Sequence, residues 1–321
     1  MNTDTKPTIV VADGYTLNPS DLDWAPLEAL GTLTVYDRTP SGKVVERCKD
    51  AQLILTNKVV LDTIILEQLP QLKYIGVLAT GYNVIDTAAA KALGITVCNV
   101  PGYGTASVAQ HTIALLLELT NAVGKHHASV QAGKWQTSAD WCYTQQPIME
   151  LAGKTMGIVG MGSIGKQVAQ IAAALGMQVI YYNPSEKKNA AGTQTSLAEL
   201  FRHSDVVSLH CPLTPSNTGF VNKVLLQQMK PTAFLLNTAR GQLINEADLA
   251  AALKAGVLAG AALDVLSAEP PRDGNPLLDA PNCIITPHNA WVSREARSRV
   301  MEITTANVQA FLEGKPQNRV A

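Results

Sequence analysis

Charge is scarce in this sequence. Of its 321 residues, 16% are charged, against about 25% in an average soluble domain. The signs balance, 25 Lys and Arg against 26 Asp and Glu, for a net charge of −1. A nucleic-acid binder carries a basic excess, and a protein held on anionic lipid carries a polybasic segment. Neither is here, so neither partner is expected. Long apolar runs are also missing. Segment 112–117 is stopped by Glu118, and segment 255–266 is broken by Gly256 and Gly260. Both fall far short of the roughly 20 residues of a bilayer span. The first seven residues are polar and include Asp4, unlike the apolar core of a secretory leader. Cysteine is sparse and scattered, at Cys48, Cys98, Cys142, Cys211 and Cys283, with no CxxC pair. That pattern argues against a disulfide framework or a zinc site, and for a reduced, cytoplasmic protein.

What is present is the composition of a globular chain, 46% hydrophobic with 23 Gly and 17 Pro. Its length suggests about two domains. Short β-branched apolar runs mark strands at 8–11, 33–36, 53–55, 74–77 and 96–99, with helix starts such as Ser20-Asp21 and Asp62-Thr63 between them. Pro101-Gly102 interrupts the alternation, and a long helix is expected over 107–127. A strandless stretch, 128–147, holds Trp135, Trp141 and Tyr143. The alternation resumes with strands at 156–159, 179–182, 206–209, 233–237, 260–264 and 284–286. Ser196 and Glu199 form a capping-box pair, and Gly256 ends a helix begun near Asn245. Alternating β and α predicts parallel sheets covered by helices on both faces. A last helix, 295–312, is stopped by Gly314. It has no strand after it, and packing it back on the first domain would make that domain discontinuous.

Gly160-Met161-Gly162-Ser163-Ile164-Gly165 matches GxGxxG. It follows an apolar strand and opens a helix, the context that turns a weak motif into a dinucleotide site. Gly160 permits the tight turn, Gly162 lets backbone approach a pyrophosphate, and Gly165 lets helix and strand pack closely. The helix start offers unpaired N–H groups to phosphate. Such sites carry an acid about 20 residues on, which holds the ribose diol. Here the position is Asn183. An amide still bonds a diol and does not repel a 2′-phosphate. Lys187 and Lys188 favour that phosphate and Glu186 opposes it. NAD is the expected cofactor, with NADP as its competitor.

Three ionisable residues fall at or just after strand ends: Arg240, Glu269 and His288. In an open parallel sheet that is the ligand side. Arg presents a planar fork suited to a carboxylate. His exchanges a proton near neutrality, and a Glu beside it favours the imidazolium and fixes the ring. Together they suit interconversion of a 2-oxo acid and a 2-hydroxy acid. The remaining histidines have plainer readings. His126 and His127 end the long helix, where cations suit the macrodipole. His111 sits inside it, and His203 and His210 lack metal spacing.

These residues resemble the D-isomer-specific 2-hydroxyacid dehydrogenase family over nearly the whole chain. The resemblance rests on Ala79-Thr80-Gly81-Tyr82-Asn83-Val84-Ile85-Asp86, Asn99-Val100-Pro101-Gly102, Ser107-Val108-Ala109-Gln110-His111 and the glycine turn. It continues through His210-Cys211-Pro212-Leu213-Thr214, Asn237-Thr238-Ala239-Arg240-Gly241, Asp264-Val265-Leu266, Glu269-Pro270 and Thr286-Pro287-His288. Within the family, Asp13-Gly14-Tyr15-Thr16-Leu17-Asn18-Pro19, Val35-Tyr36-Asp37-Arg38-Thr39 and Trp141-Cys142-Tyr143 are similar to glycerate dehydrogenases, also called hydroxypyruvate reductases.

The resemblance implies an α/β protein of two doubly wound parallel-sheet domains with a cleft between them. A flavodoxin-like substrate domain would take residues 1–101 and 291–321, and a Rossmann cofactor domain residues 102–290. Arg240 would bind the substrate carboxylate and polarise its carbonyl, His288 would be the acid/base and Glu269 its partner. The backbone at Thr80 and Gly81 would hold the carboxylate from the other domain. Gly162, Ser163 and Ile164 would cradle the pyrophosphate. Thr105, Cys211, Pro212, Thr238 and Asp264 would line the nicotinamide half, with Asp264 accepting from its carboxamide. Gln110 departs from the Glu often found there. Family members are usually homodimers, in which Trp135 or Trp141 would reach a neighbour. The expected substrate is a small anionic acid, hydroxypyruvate or D-glycerate, with glyoxylate second. Three rivals are another specificity within the family, formate dehydrogenase, and a non-catalytic NAD-sensing module of the same fold. Formate oxidation has no use for the Glu269/His288 proton donor.

Overall fold

The computed structural model describes residues 6–185 and 191–321. The chain forms two compact units, one from Met1–Gly104 with Val292–Ala321 and one from Thr105–Trp291.

The first unit is built on β1 (Thr8–Val11), β2 (Thr32–Val35), β3 (Leu53–Thr56), β4 (Tyr74–Val77) and β5 (Thr96–Cys98). They form one parallel sheet in the order β2-β1-β3-β4-β5, the flavodoxin-like order. β3 and β4 are buried along their whole length, while edge strand β2 alternates exposed and half-buried residues. That is why the inner strands read as continuous apolar runs. Asp62 and Asp86 cap the helices Thr63–Leu66 and Thr87–Ala92 by accepting from the backbone N–H of Ile65 and Ala89. No helix starts at Ser20-Asp21. The Asn18 side-chain oxygen instead accepts from the backbone N–H groups of Ser20, Asp21 and Leu22, closing a turn with Ser20 at φ +80°. The helix begins later, at Ala25–Glu28.

The last helix, Arg294–Leu312, completes this unit. Buried Arg297 donates to both Asp21 carboxylate oxygens at 2.6 Å and to the Leu17 carbonyl at 3.0 Å. The Asn307 amide donates to the Asn99 carbonyl at 2.9 Å. The final residues then run antiparallel against β5, where Val97 N–H donates to Ala321 O and Val320 N–H to Val97 O.

The second unit holds β6 (Thr155–Val159), β7 (Gln178–Tyr182), β8 (Thr193–Gln194), β9 (Val206–Leu209), β10 (Phe234–Asn237), β11 (Gly260–Leu263) and β12 (Cys283–Ile285). This parallel sheet runs β12-β11-β10-β9-β6-β7-β8, a Rossmann order whose switch point lies between β6 and β9. Alternate residues feed two cores. Val207, Leu209, Leu235 and Leu263 join one, and Met156, Ile158, Val206 and Leu236 join the other. Both faces are therefore covered.

Three further details differ from expectation. β8 adds a short, exposed strand. The long helix is two helices, Thr105–Asn121 and Val123–Gln131, separated by Ala122 at φ +48°. The Glu118 carboxylate accepts from Gly124 N–H across this break. His126 and His127 thus sit inside the second helix and not at the end of the first. The Ala122 carbonyl accepts from His126 Nδ1 at 2.8 Å, and His126 Nε2 accepts from Gln145 N–H at 3.0 Å, pinning the following loop. Of the Ser196/Glu199 pair, the Ser196 half forms. The Glu199 carboxylate turns forward to Arg202 and His203.

Candidate active site

The glycine turn follows β6. Gly160 adopts φ +100°, and a Cβ there would lie 2.6 Å from Cys211 N. A Cβ on Gly165 would overlap the Gly160 carbonyl. Both positions therefore need glycine for packing. Gly162 is different, because nothing lies within 4 Å of where its Cβ would stand. It precedes the helix Ser163–Ala174 without a side-chain cap. A first helical turn with uncapped N–H groups beside open space fits a pyrophosphate. Asn183, just past β7, accepts from Met161 N–H at 3.3 Å and donates to the Ser185 carbonyl at 2.9 Å. Its amide ties the glycine turn to the next strand end. Glu186, Lys187 and Lys188 lie outside the described residues.

The other expected cofactor residues follow successive strands of the same sheet. Cys211 and Pro212 come after β9, Thr238 after β10 and Asp264 after β11. Burial pushes the Cys211 thiol up to about 11, which makes it a wall and not a nucleophile. Thr238 shares a hydroxyl–hydroxyl bond of 2.9 Å with Thr112, on the helix that Thr105 opens. The Asn217 amide donates to the Pro212 carbonyl at 2.8 Å.

The expected acid/base pair is joined directly. His288 Nδ1 lies 2.6 Å from Glu269 Oε2, while Glu269 Oε1 accepts from Leu266 N–H at 2.9 Å. A carboxylate only accepts, so Nδ1 carries the proton. His288 sits at φ +52°, a conformation that costs a branched or bulky residue energy and that surrounding bonds must impose. Those bonds come from Asp264, which is 1% exposed. Its carbonyl accepts from His288 N–H at 2.9 Å. Its carboxylate accepts from Asn289 N–H at 3.0 Å, Ala290 N–H at 2.9 Å and the Thr286 hydroxyl at 2.6 Å. The carboxylate expected to meet a carboxamide is thus engaged with the loop that carries His288.

Arg240 is set by its own loop. Its carbonyl accepts from the Asn237 amide at 2.8 Å, and one guanidinium nitrogen donates to the Ala239 carbonyl at 2.7 Å. Its remaining N–H groups make up the fork. A Cβ on the adjacent Gly241 would overlap the Leu266 backbone, so the Arg240 loop packs against the segment leading to Glu269. Thr80 and Gly81 belong to the other unit, where the Thr80 hydroxyl donates to the Val100 carbonyl at 2.9 Å and its carbonyl accepts from the Asn99 amide at 2.8 Å. Sequence reasoning missed His111, whose Nε2 lies 3.0 Å from the Thr286 hydroxyl. Its signal in the sequence is its place in Ser107–His111, a stretch that carries the family resemblance, one turn after Ser107. Among the described residues, no group of three metal-ligating side chains comes together.

A seven-stranded parallel sheet, a glycine turn shaped for a pyrophosphate and a carboxylate–imidazole pair at the ends of its strands define a nicotinamide-dependent dehydrogenase. Comparison with known proteins narrows the class. The model of the D-isomer specific 2-hydroxyacid dehydrogenase NAD binding domain matches residues 113–290, and the chain belongs to that family. It is similar to a hydroxypyruvate reductase of Blautia hydrogenotrophica, 50% identical over 320 residues that span 97% of this chain and 99% of the relative. It is also similar to a glycerate dehydrogenase of Methylorubrum extorquens, 44% identical over 87% of this chain and 88% of the relative. Among solved structures, an acyclic imino acid reductase in complex with NADPH superposes with a TM-score of 0.86 at 30% identity, covering 98% of this chain and all of that one. The matched model is an NAD binding domain, so the cofactor is a nicotinamide dinucleotide. No helix among the described residues is long and apolar enough to cross a membrane.

Proposed function

We propose that this protein reduces hydroxypyruvate to D-glycerate, with glyoxylate as a second substrate. The observation that carries the chemistry is the 2.6 Å bond between His288 Nδ1 and Glu269. With Nδ1 committed, Nε2 is the nitrogen that exchanges a proton with substrate. The similarity to a hydroxypyruvate reductase and a glycerate dehydrogenase supports the choice of acid.

The fork of Arg240 binds the substrate carboxylate and polarises the adjacent carbonyl. Ser163 and Ile164 give their N–H groups to the cofactor's pyrophosphate, with Gly162 leaving it room. Thr105, Cys211, Pro212 and Thr238 line the nicotinamide half. When bound, the reduced nicotinamide would supply a hydride to the carbonyl carbon and be left oxidised. As the carbonyl π electrons move onto oxygen, His288 gives up its Nε2 proton to that oxygen and ends neutral, with Nδ1–H still held by Glu269. Glu269 keeps the ring aimed throughout. In the reverse direction the same nitrogen takes the hydroxyl proton.

Asn183 in place of an acid leaves both NAD and NADP acceptable. The working form is a homodimer, supported by the exposed Trp135 and Trp141, 54% and 87% accessible. All five cysteines are free, which fits a reducing, cytoplasmic setting.

The test is NADH and NADPH oxidation with hydroxypyruvate, glyoxylate, pyruvate and longer 2-oxo acids. Hydroxypyruvate should give the highest kcat/KM. Cofactor binding without turnover of any 2-oxo acid would reject the enzyme in favour of a sensing module. A faster rate with a longer acid would reject the substrate.

A further inference from the structure

His288 sits in a loop whose shape no glycine explains. The loop runs from Thr286, just past β12, to Ala290, and holds His288 at φ +52°. Asp264 binds it from one side. A second set of bonds comes from the helix Thr105–Asn121. The Ser107 hydroxyl donates to the Ala290 carbonyl at 2.6 Å, and His111 Nε2 lies 3.0 Å from the Thr286 hydroxyl. Ser107 and His111 are four residues apart and so share one helix face. They grip the loop at its two ends, on either side of His288. The direction of the His111 bond follows from the hydroxyl's single proton. Thr286 gives that proton to the Asp264 carboxylate at 2.6 Å, so its oxygen accepts and His111 Nε2 donates.

We propose that Ser107 and His111 are positioning residues for the acid/base His288, a brace that fixes its loop through the Ala290 carbonyl and the Thr286 hydroxyl. Neither side chain takes part in proton transfer. Their effect is on the aim of His288 Nε2, and misplacing a reacting group by about 1 Å costs up to a hundredfold in rate. Ser107 and His111 fell outside the expected site because their partners lie 183 and 175 residues away along the chain.

The brace rests on the proposed reduction for its kinetic readout, and a second readout needs no substrate. His111→Leu removes the donor, His111→Gln keeps an Nε2 donor, and Ser107→Ala removes the other grip with little risk to folding. With whichever 2-oxo acid the wild type reduces fastest, His111→Leu and Ser107→Ala should each lower kcat by about tenfold or more. The KM for NADH should stay within threefold, and His111→Gln should recover most of the rate. In the free protein, the downfield NMR proton of His288 Nδ1–H is assigned by its loss in His288→Ala. It should stay sharp in wild type and His111→Gln and broaden in His111→Leu. A kcat within twofold of wild type in folded His111→Leu, or His111→Gln as slow as His111→Leu, overturns the brace. So does an unchanged downfield proton in both His111→Leu and Ser107→Ala. If the wild type reduces no 2-oxo acid but the NMR proton responds as described, the brace stands and the reduction falls.

Discussion

Asp264→Asn replaces one oxygen of a buried carboxylate with an NH2 group and changes little else in shape. The structure decides which oxygen is lost. Oδ1 accepts from the Thr286 hydroxyl and Asn289 N–H, while Oδ2 accepts from Ala290 N–H alone. Turning the amide so that NH2 replaces Oδ2 sacrifices one bond and keeps two, so that orientation wins. It still sets two donors face to face at a site that is 1% exposed. Losing a bond to a charged acceptor costs about 1.5–3 kcal/mol, and an unsatisfied buried donor about 1–3 kcal/mol, with overlap between the two. We expect a loss of about 3 kcal/mol. For a unit the size of Thr105–Trp291 that lowers Tm by roughly 6–12 °C, at about 2–4 °C per kcal/mol. Thermal unfolding by calorimetry is the assay, with kcat measured well below the transition. Because Ala290 closes the His288 loop, kcat should fall even where the variant is fully folded. A Tm within 2 °C of wild type would refute the reasoning, since the Asp264 carboxylate would then not be the acceptor these bonds require.

His288→Ala should lower kcat at least about a hundredfold with little change in Tm, and Arg240→Lys should raise the substrate KM because an ammonium cannot replace the fork. Steady-state kinetics on folded protein decides both, and near-wild-type values in either variant would remove that residue from the mechanism. His210 sets an acid limit on stability. Burial holds its imidazole down at about 4 against an ordinary 6.5, so between those values the unfolded chain takes up a proton that the native protein refuses. Stability is present in full above pH 6.5 and falls by at most about 3 kcal/mol on the way to pH 4. His210→Gln should flatten that part of the pH dependence of denaturant unfolding, and an unchanged slope would assign the acid loss to other groups.

The inner strands were readable because a parallel sheet covered on both faces demands unbroken apolar runs, as in Leu53–Thr56 and Phe234–Asn237. β8 was not, because a two-residue exposed edge strand of Thr193 and Gln194 carries no apolar pattern. The break at Ala122 was hidden by a residue that favours helix, and its support is a bond from Gly124 N–H to the Glu118 carboxylate six residues back. Ser20-Asp21 reads locally as a helix start, but Asn18 takes the backbone N–H groups that such a start would leave open. That Glu269 and His288 meet could be anticipated because both follow strand ends, where an open sheet presents its chemistry. His111 could not, because a histidine inside a helix shows its meaning only when its distant partner is placed.

The return of the chain to its first unit sets an order of assembly. β1 to β5 leave the ribosome first, yet the helix Arg294–Leu312 and the residues that pair with β5 arrive only after Thr105–Trp291 has been made. At about 5–20 residues per second that wait is roughly 10–40 s. During it β5 is an open sheet edge, able to pair with other chains, and when it ends Thr105–Trp291 has every strand it needs while the first unit still lacks its last helix. Thr105–Trp291 is therefore ready to fold before the unit that precedes it, and that first unit is the part most in need of a chaperone.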